Sequence, residues 1–310
     1  MEHRADGAIV VGVTGRGRDS AALRLALDCA RREGADVLLV HAFQDSSATD
    51  LPGYALSHEQ AAKIADTVVE EVAEEFETLA GTSVSHRAVT VSGPPSRVLA
   101  ELSSHARLVV VQHSRATALG RLFVGSTVNG ASAHARCPVI SVNEEWEPAA
   151  PPGDVVVGVH GGGGPLEVVE AGFAWAAATG AHVRIVHAWR LDTAYDAFVT
   201  DEEAARFRHE QEGVLAAAVT DLRERHPEVT VAIDVPRRRT VDALVEASKQ
   251  ASLVVVGRHG SWAWTPERLG SLVRSVLREA ASPVMVVPLR TEDEIASAWE
   301  TTAEEDSPQT

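Results

Sequence analysis

The stretch IVVGVTGRGRDSAALRLALDCARREGADVLLVHAF, residues 9–43, returns as VVVGVHGGGGPLEVVEAGFAWAAATGAHVRIVHAW, residues 155–189. Each copy reads as an apolar run, a glycine turn, a helical stretch and a second apolar run. The runs at 8–13 and 36–43 are nearly unbroken in apolar residues, the pattern of strands covered on both faces. Between them Leu23, Leu27 and Ala30 fall at helical spacing, and Asp19 and Ser20 are placed to cap that helix. Strand, helix and strand of this kind predict a right-handed crossover in a parallel sheet.

The ends of the copies match as well: LVVVQHSRATALGRLFVGSTVNGASAHARCPVISV (108–142) aligns with LVVVGRHGSWAWTPERLGSLVRSVLREAASPVMVV (253–287). A repeat of about 145 residues is a whole domain, too long for a solenoid unit. In the first copy a helix carries the stripe Ile64, Val68, Val72, Phe76 and Leu79 and ends at Gly81. A strand over 84–91, a helix from about 95 to 105, a strand over 107–112, a helix over 125–136 and a strand over 138–142 follow. The second copy predicts strands over 154–159, 182–188, 228–235, 252–257 and 283–288. Its helices are expected over 165–179, opening on Pro165, and over 200–226, 240–251 and 270–281.

The fold class that follows is α/β: two tandem doubly wound five-stranded parallel sheets of order 3-2-1-4-5. The domains are expected at 1–143 and 154–290, with a proline-rich linker at 144–153 and an acidic disordered tail at 291–310. The final strands are sheet edges that need cover, so the halves are expected to pair through them as a pseudo-dimer. Further pairing into a homodimer stays open at this point, as do protein partners.

Composition narrows the function. With 28 basic against 44 acidic side chains and a net charge of −16, the chain repels a polyanion, which argues against nucleic acid as a partner. The one basic cluster, Arg237-Arg238-Arg239, reads as a solvated loop. No apolar run approaches the ~20 residues that span a bilayer, so no membrane partner is expected. The start MEHRADGAIVVGV lacks the charge and apolar pattern of a secretory signal, and a cytoplasmic location is expected. Cys29 and Cys137 have no metal-ligand spacing and read as reduced structural cysteines.

The chemistry is expected where the strand order turns back, outside the carboxyl ends of the first and fourth strands. In the second copy the first strand runs into His160 and Gly161–Gly164, and the fourth into Gly257-Arg258-His259-Gly260. Nine residues later Gly270-Ser271 opens a helix, whose free amides and hydroxyl make a ready anion site. His41 and His187 recur at the same strand end and read as half-buried rings bonded to a neighbouring strand. Trp262 and Trp264, in the nine-residue loop, are equally compatible with a lid, a protein contact and local packing. Glycines after parallel strands also serve as plain turn punctuation, so no one of them decides a site.

The pattern G-x2-G-x9-G-S after a VVV strand resembles the nucleotide-binding signature of the universal stress protein family. The resemblance covers both halves, including VHAF and VHAW at the second strand ends and CPVISV and SPVMVV in the last strands. It implies a Rossmann-like fold in the tandem form found in actinobacteria. In the family's ATP-binding branch it also implies adenine near Val186, with ribose and phosphates on the turn of Gly158, His160 and Gly161. Gly257, Arg258, Gly260, Gly270, Ser271 and Leu272 complete that implied site. The ligand implied is ATP or ADP, with or without Mg²⁺.

A weaker first-half site comprises Gly12, Thr14, Val40, Arg115, Gly125, Ser126 and Thr127. The family's usual acid after the first strand is Thr14 in one half and His160 in the other. Gln112 and Arg115 stand where the second half has Gly257 and Gly260, and their side chains are expected to intrude on a phosphate chain. Arg115 as a phosphate ligand is the alternative. No G-x4-G-K-[ST], no lysine in the nine-residue loop and no G-x-S-x-G is present, which favours binding with little or no turnover, slow hydrolysis at most. The expectation is an ATP- or ADP-binding stress-response regulator working through its second half. The alternative is a nucleotide-independent scaffold of the same family.

Overall fold

The computed structural model describes residues 5–44, 57–114, 125–148, 152–160, 165–191, 193–258 and 269–289. In the first half β1 (Ile9–Gly12), α1 (Ser20–Glu33), β2 (Val37–Phe43), α2 (His58–Ala80) and β3 (His86–Ser92) come first. They lead to α3 (Pro95–Leu102), β4 (Leu108–His113), α4 (Ser126–His134) and β5 (Val139–Asn143). The second half opens with β6 (Asp154–Gly158), α5 (Leu166–Thr179), β7 (Val183–Val186) and the short α6 (Thr193–Asp196). It continues through α7 (Asp201–Ala218), α8 (Thr220–Arg225), β8 (Val231–Asp234), α9 (Thr240–Ser248), β9 (Ala251–Arg258), α10 (Ser271–Glu279) and β10 (Val284–Pro288).

The strands form one ten-stranded sheet in the order β3-β2-β1-β4-β5-β10-β9-β6-β7-β8. Each half is therefore a 3-2-1-4-5 parallel sheet, as the repeat predicts. The halves meet edge to edge where β10 runs antiparallel to β5, with Met285 opposite Ile140 and Val286 opposite Val139. Pairing the two last strands covers the edges that each half would otherwise expose to other chains. Two more contacts cross the seam: the Arg32 guanidinium lies 5.0 Å over the Trp175 ring, and Arg258 of β9 reaches α4.

The strands are apolar on both faces because helices cover both. Ile9, Val11, Val110, Val155, Val157 and Val255 bury toward α1 and α5, and Val10, Val109, Val156 and Val254 toward the opposite layer. At about 1.5–3 kcal/mol for each fully buried aliphatic side chain, this alternating burial is the main force holding the sheet. Helices α1 and α5 stop at Gly34 and Gly180, both at positive φ (61° and 69°), where a residue with a Cβ is strained. Capping boxes start the long helices α2 and α7, which lie on the same face as α1 and α5: Ser57 with Gln60 and Thr200 with Glu203.

Four local expectations need correction. The buried stripe of α2 is Ala61, Ala65, Val69, Val72, Phe76 and Ala80, while Ile64 and Leu79 are 52% and 39% exposed. Small alanines let the helix lie close over β2 and β3, which turns the predicted stripe partly outward. The helix expected over 200–226 breaks at Val219 into α7 and α8, where the Thr220 hydroxyl donates to the Ala216 carbonyl at 3.2 Å and competes with the helical ladder. Pro165 is the cap residue before α5 rather than its first turn. Asp19 makes no side-chain cap on α1; its carboxylate is engaged elsewhere. Residues 291–310, Trp262 and Trp264 lie outside the described residues.

Candidate functional site

In the second half a cavity of about 240 Å³ opens at the carboxyl ends of β6 and β9. Gly158, Val159, His160 and Pro165 wall it from the turn after β6, and Thr240 and Leu244 from α9. Val256 and Gly257 of β9 and Gly270, Ser271, Leu272 and Val273 at the start of α10 close the ring. Six of the residues expected at a nucleotide site thus share one cavity. The others are placed differently. Val186 is buried on the adjacent face and borders a separate cavity of about 340 Å³ with Arg184, Asp234 and Arg238. Arg258 turns to the other half, where its guanidinium donates to the carbonyls of Ala133 and, at 3.0 Å, Ala135. Gly161 and Gly260 lie outside the described residues.

The glycines differ in what requires them. A Cβ on Gly158 would stand 3.0 Å from a Leu244 methyl, and one on Gly12 the same distance from Leu99. Both glycines let the first strand of each half sit down on the helix beneath it. A Cβ on Gly257 would stand 2.8 Å from Cγ2 of Val168, so the strand lies against α5 there. Around a Cβ on Gly270 there is open space; its extended conformation (φ −55°, ψ 150°) caps α10, a helix N-terminus directed at the cavity.

In the first half, side chains close the turn after β1 and the start of α1. Asp19, only 2% exposed, accepts from the Thr14 amide at 2.6 Å, the Gly15 amide at 3.0 Å and the Thr14 hydroxyl at 3.1 Å. Burial raises the Asp19 carboxyl above its ordinary value, and the amides of Thr14 and Gly15 oppose that rise. Gln112 does not merely intrude. Its Oε1 takes the amides of Ala21 and Ala22 at 2.9 and 3.2 Å, and its Nε2 donates to the Arg18 carbonyl. The backbone donors that an anion would use at this turn and helix start therefore already hold side-chain acceptors.

In the aligned copies Asp19 corresponds to Pro165, Gln112 to Gly257 and Ala22 to Val168. Neither Pro165 nor Gly257 carries a side-chain acceptor, and Val168 takes up the room that the Gln112 carboxamide uses over Ala22. A polar cavity of about 570 Å³ remains beside Thr14, Asp19, Gln112, His113, Ser114 and Glu144. Gly12, Val40, Gly125, Ser126 and Thr127 are not in its walls, and Arg115 lies outside the described residues. Sequence reasoning found Gln112 but missed Asp19, Pro165 and Thr240; comparing positions 19 and 165 was the available signal.

Other groups have structural partners. His41 and His187 meet the carbonyls of Val13 and Val159 through Nδ1, at 3.0 and 3.4 Å. Arg237 is held, not solvated: it pairs with Asp196 at 3.2 Å and lies 5.7 Å over the Trp189 ring. Burial pushes the Cys29 and Cys137 thiols up to about 12, far from a reactive thiolate. Among the described residues no three His, Cys, Asp or Glu side chains gather to hold a metal ion, and no described helix is long and apolar enough to cross a membrane.

Fold and site together define a tandem α/β protein with one open and one self-closed mouth at the strand ends. The chain belongs to the universal stress protein family, whose model matches residues 7–143 and again 153–288. It is 28% identical over 286 residues to a universal stress protein of Mycobacterium tuberculosis, covering 90% of this chain and 95% of that one. Another from the same organism is 31% identical over 209 residues, 67% of this chain and 70% of that one. A Mycobacterium bovis universal stress protein is 32% identical over 192 residues, and there the match spans 61% of each chain. Among solved structures, a universal stress protein from Archaeoglobus fulgidus superposes with a TM-score of 0.66 at 15% identity, covering 91% of this chain and 98% of that one.

Proposed function

We propose that this protein is a stress-response regulator that binds an adenine nucleotide, ATP or ADP, through its second half, with little or no turnover. The observation that carries the reading is the cavity between β6 and β9, where the Gly270-Ser271 helix start and the Gly257 backbone face the turn of His160. Amides at a helix start hold an anion without any catalytic group. No carboxylate or lysine stands in that wall among the described residues, so the reading is binding rather than phosphoryl transfer. The adenine preference comes from the family resemblance.

Nucleotide released from freshly purified protein, quantified by chromatography, is expected at a single equivalent per chain. Calorimetry of the stripped protein with ATP should return the same stoichiometry, and Ser271→Glu, which puts a charge at the helix start, should abolish uptake. Two equivalents would contradict the self-closed first half. No uptake at all would leave the second reading, a nucleotide-independent scaffold. That reading draws support from the first half, where Asp19 and Gln112 engage the amides of the turn and helix start in internal contacts.

A further inference from the structure

The outer flank of α9 differs from that of its counterpart, α3. In the first half Val98 and Leu102 of α3 pack over β2 and β3 with Leu38, Val40 and Val89, and Leu38, Val40 and Val98 are buried. The repeat puts Ala243 at the place of Val98, Ala247 at that of Leu102 and Arg184 at that of Leu38. Strand register puts Asp234 at the place of Val89, since Val186 pairs with Asp234 as Val40 pairs with Val89. Two large helix residues are thus alanines here, and two apolar strand residues are an ion pair, Arg184 with Asp234. Where the first half has packed side chains, the second has the cavity of about 340 Å³. Helix α9 separates it from the nucleotide mouth, with Leu244 turned to the mouth and Ala243 and Ala247 to this cavity.

Stability does not account for the exchange. Arg184 and Asp234 are each 36% exposed, and ion pairs at that exposure contribute little. The first half's residues at these four positions would bury apolar surface that the cavity leaves uncovered. What the exchange supplies is a surface for a ligand. Val186, Pro236, Ala243 and Ala247 make its apolar part. Beside them stand two guanidinium groups, Arg184 and Arg238, and two carboxylates, Asp234 and Glu246. Asp234 accepts from one Arg184 nitrogen and Glu246 from Lys249 at 2.6 Å, which leaves lone pairs on both carboxylates. Among the described residues the Arg238 guanidinium makes no hydrogen bond. The wall charges cancel, so a simple anion or cation meets repulsion as well as attraction, and an apolar ligand would strand the charges. At about 340 Å³ the cavity lies at the small end of ligand sites, which run from roughly 300 to 1,000 Å³.

We infer that this cavity is a second ligand site, separate from the nucleotide mouth, and that it takes a small apolar amino acid as the zwitterion. The carboxylate meets Arg238 and the remaining donors of Arg184, the ammonium meets Asp234 and Glu246, and the side chain lies on Val186, Ala243 and Ala247.

The test is calorimetry of the full chain with leucine, with leucinamide, which lacks the carboxylate, and with N-acetyl-leucine, which lacks the ammonium. Saturable binding of leucine is expected, with both derivatives weaker by about tenfold or more. Ala247→Leu gives α9 the residue that α3 carries; it should abolish leucine binding and raise the Tm by filling the cavity. Thermal unfolding checks that the variant folds, and Ala243→Val, the smaller change, takes its place if it does not. No saturable binding of leucine by the native chain, equal affinity for the three probes, or undiminished binding by the filled variant would each overturn the inference.

Discussion

Position 257 shows how one residue sets the packing beneath the strand ends of each half. The first half carries Gln112 there, over Ala22, and the second carries glycine, against Val168. Each partner is matched in size to the other, so the exchange is coupled. Gly257→Ala should destabilise the protein by about 1–3 kcal/mol through overpacking against Val168. Urea unfolding of Gly257→Ala, Val168→Ala and the double variant should show the double change costing clearly less than the sum. Strict additivity would mean that the strand adjusts and the pairing is coincidental. The glycine stood out in the sequence as a candidate site residue, yet its steric reason was not legible, since nothing local in GRHG points to Val168.

Among the elements, the strands were the most legible part of the sequence, because runs such as VVVG and LVVV are short, β-branched and apolar throughout, the pattern of a strand covered on both faces. Helix faces were less so: α2 buries alanines that a search for large apolar residues passes over, and the break at Val219 depends on a side-chain bond to the preceding turn. The self-closed mouth was legible only in part. Gln112 announced itself by replacing glycine, whereas Asp19 looked like an ordinary helix cap until its carboxylate proved to fold back on Thr14 and Gly15. The contact between β9 and α4 was not legible at all. Arg258 holds the last carbonyls of α4, where a cation also meets the negative end of the helix dipole. Arg258→Ala should cost about 1–3 kcal/mol, and Arg258→Lys should recover little, because one ammonium cannot span both carbonyls. Thermal unfolding with hydrogen exchange on α4 checks this; an unchanged exchange rate there would show that the clamp is idle.

For the whole molecule, the β5–β10 seam makes one sheet of two ancestral units. A fragment limited to residues 152–289 should expose the β10 edge and self-associate, rebuilding the antiparallel pair with a second copy. Sedimentation should show its weight rising with concentration, and a fragment that stays monomeric throughout would mean that β10 is protected by something other than β5. The antiparallel seam has a directional consequence. Because β5 and β10 run antiparallel, the carboxyl ends of the strands in the two halves open at opposite margins of the sheet, and so do the closed turn of the first half and the cavity of the second. The two halves therefore turn unlike surfaces to opposite margins of one sheet, and a partner that touches the strand ends of one half does not meet those of the other.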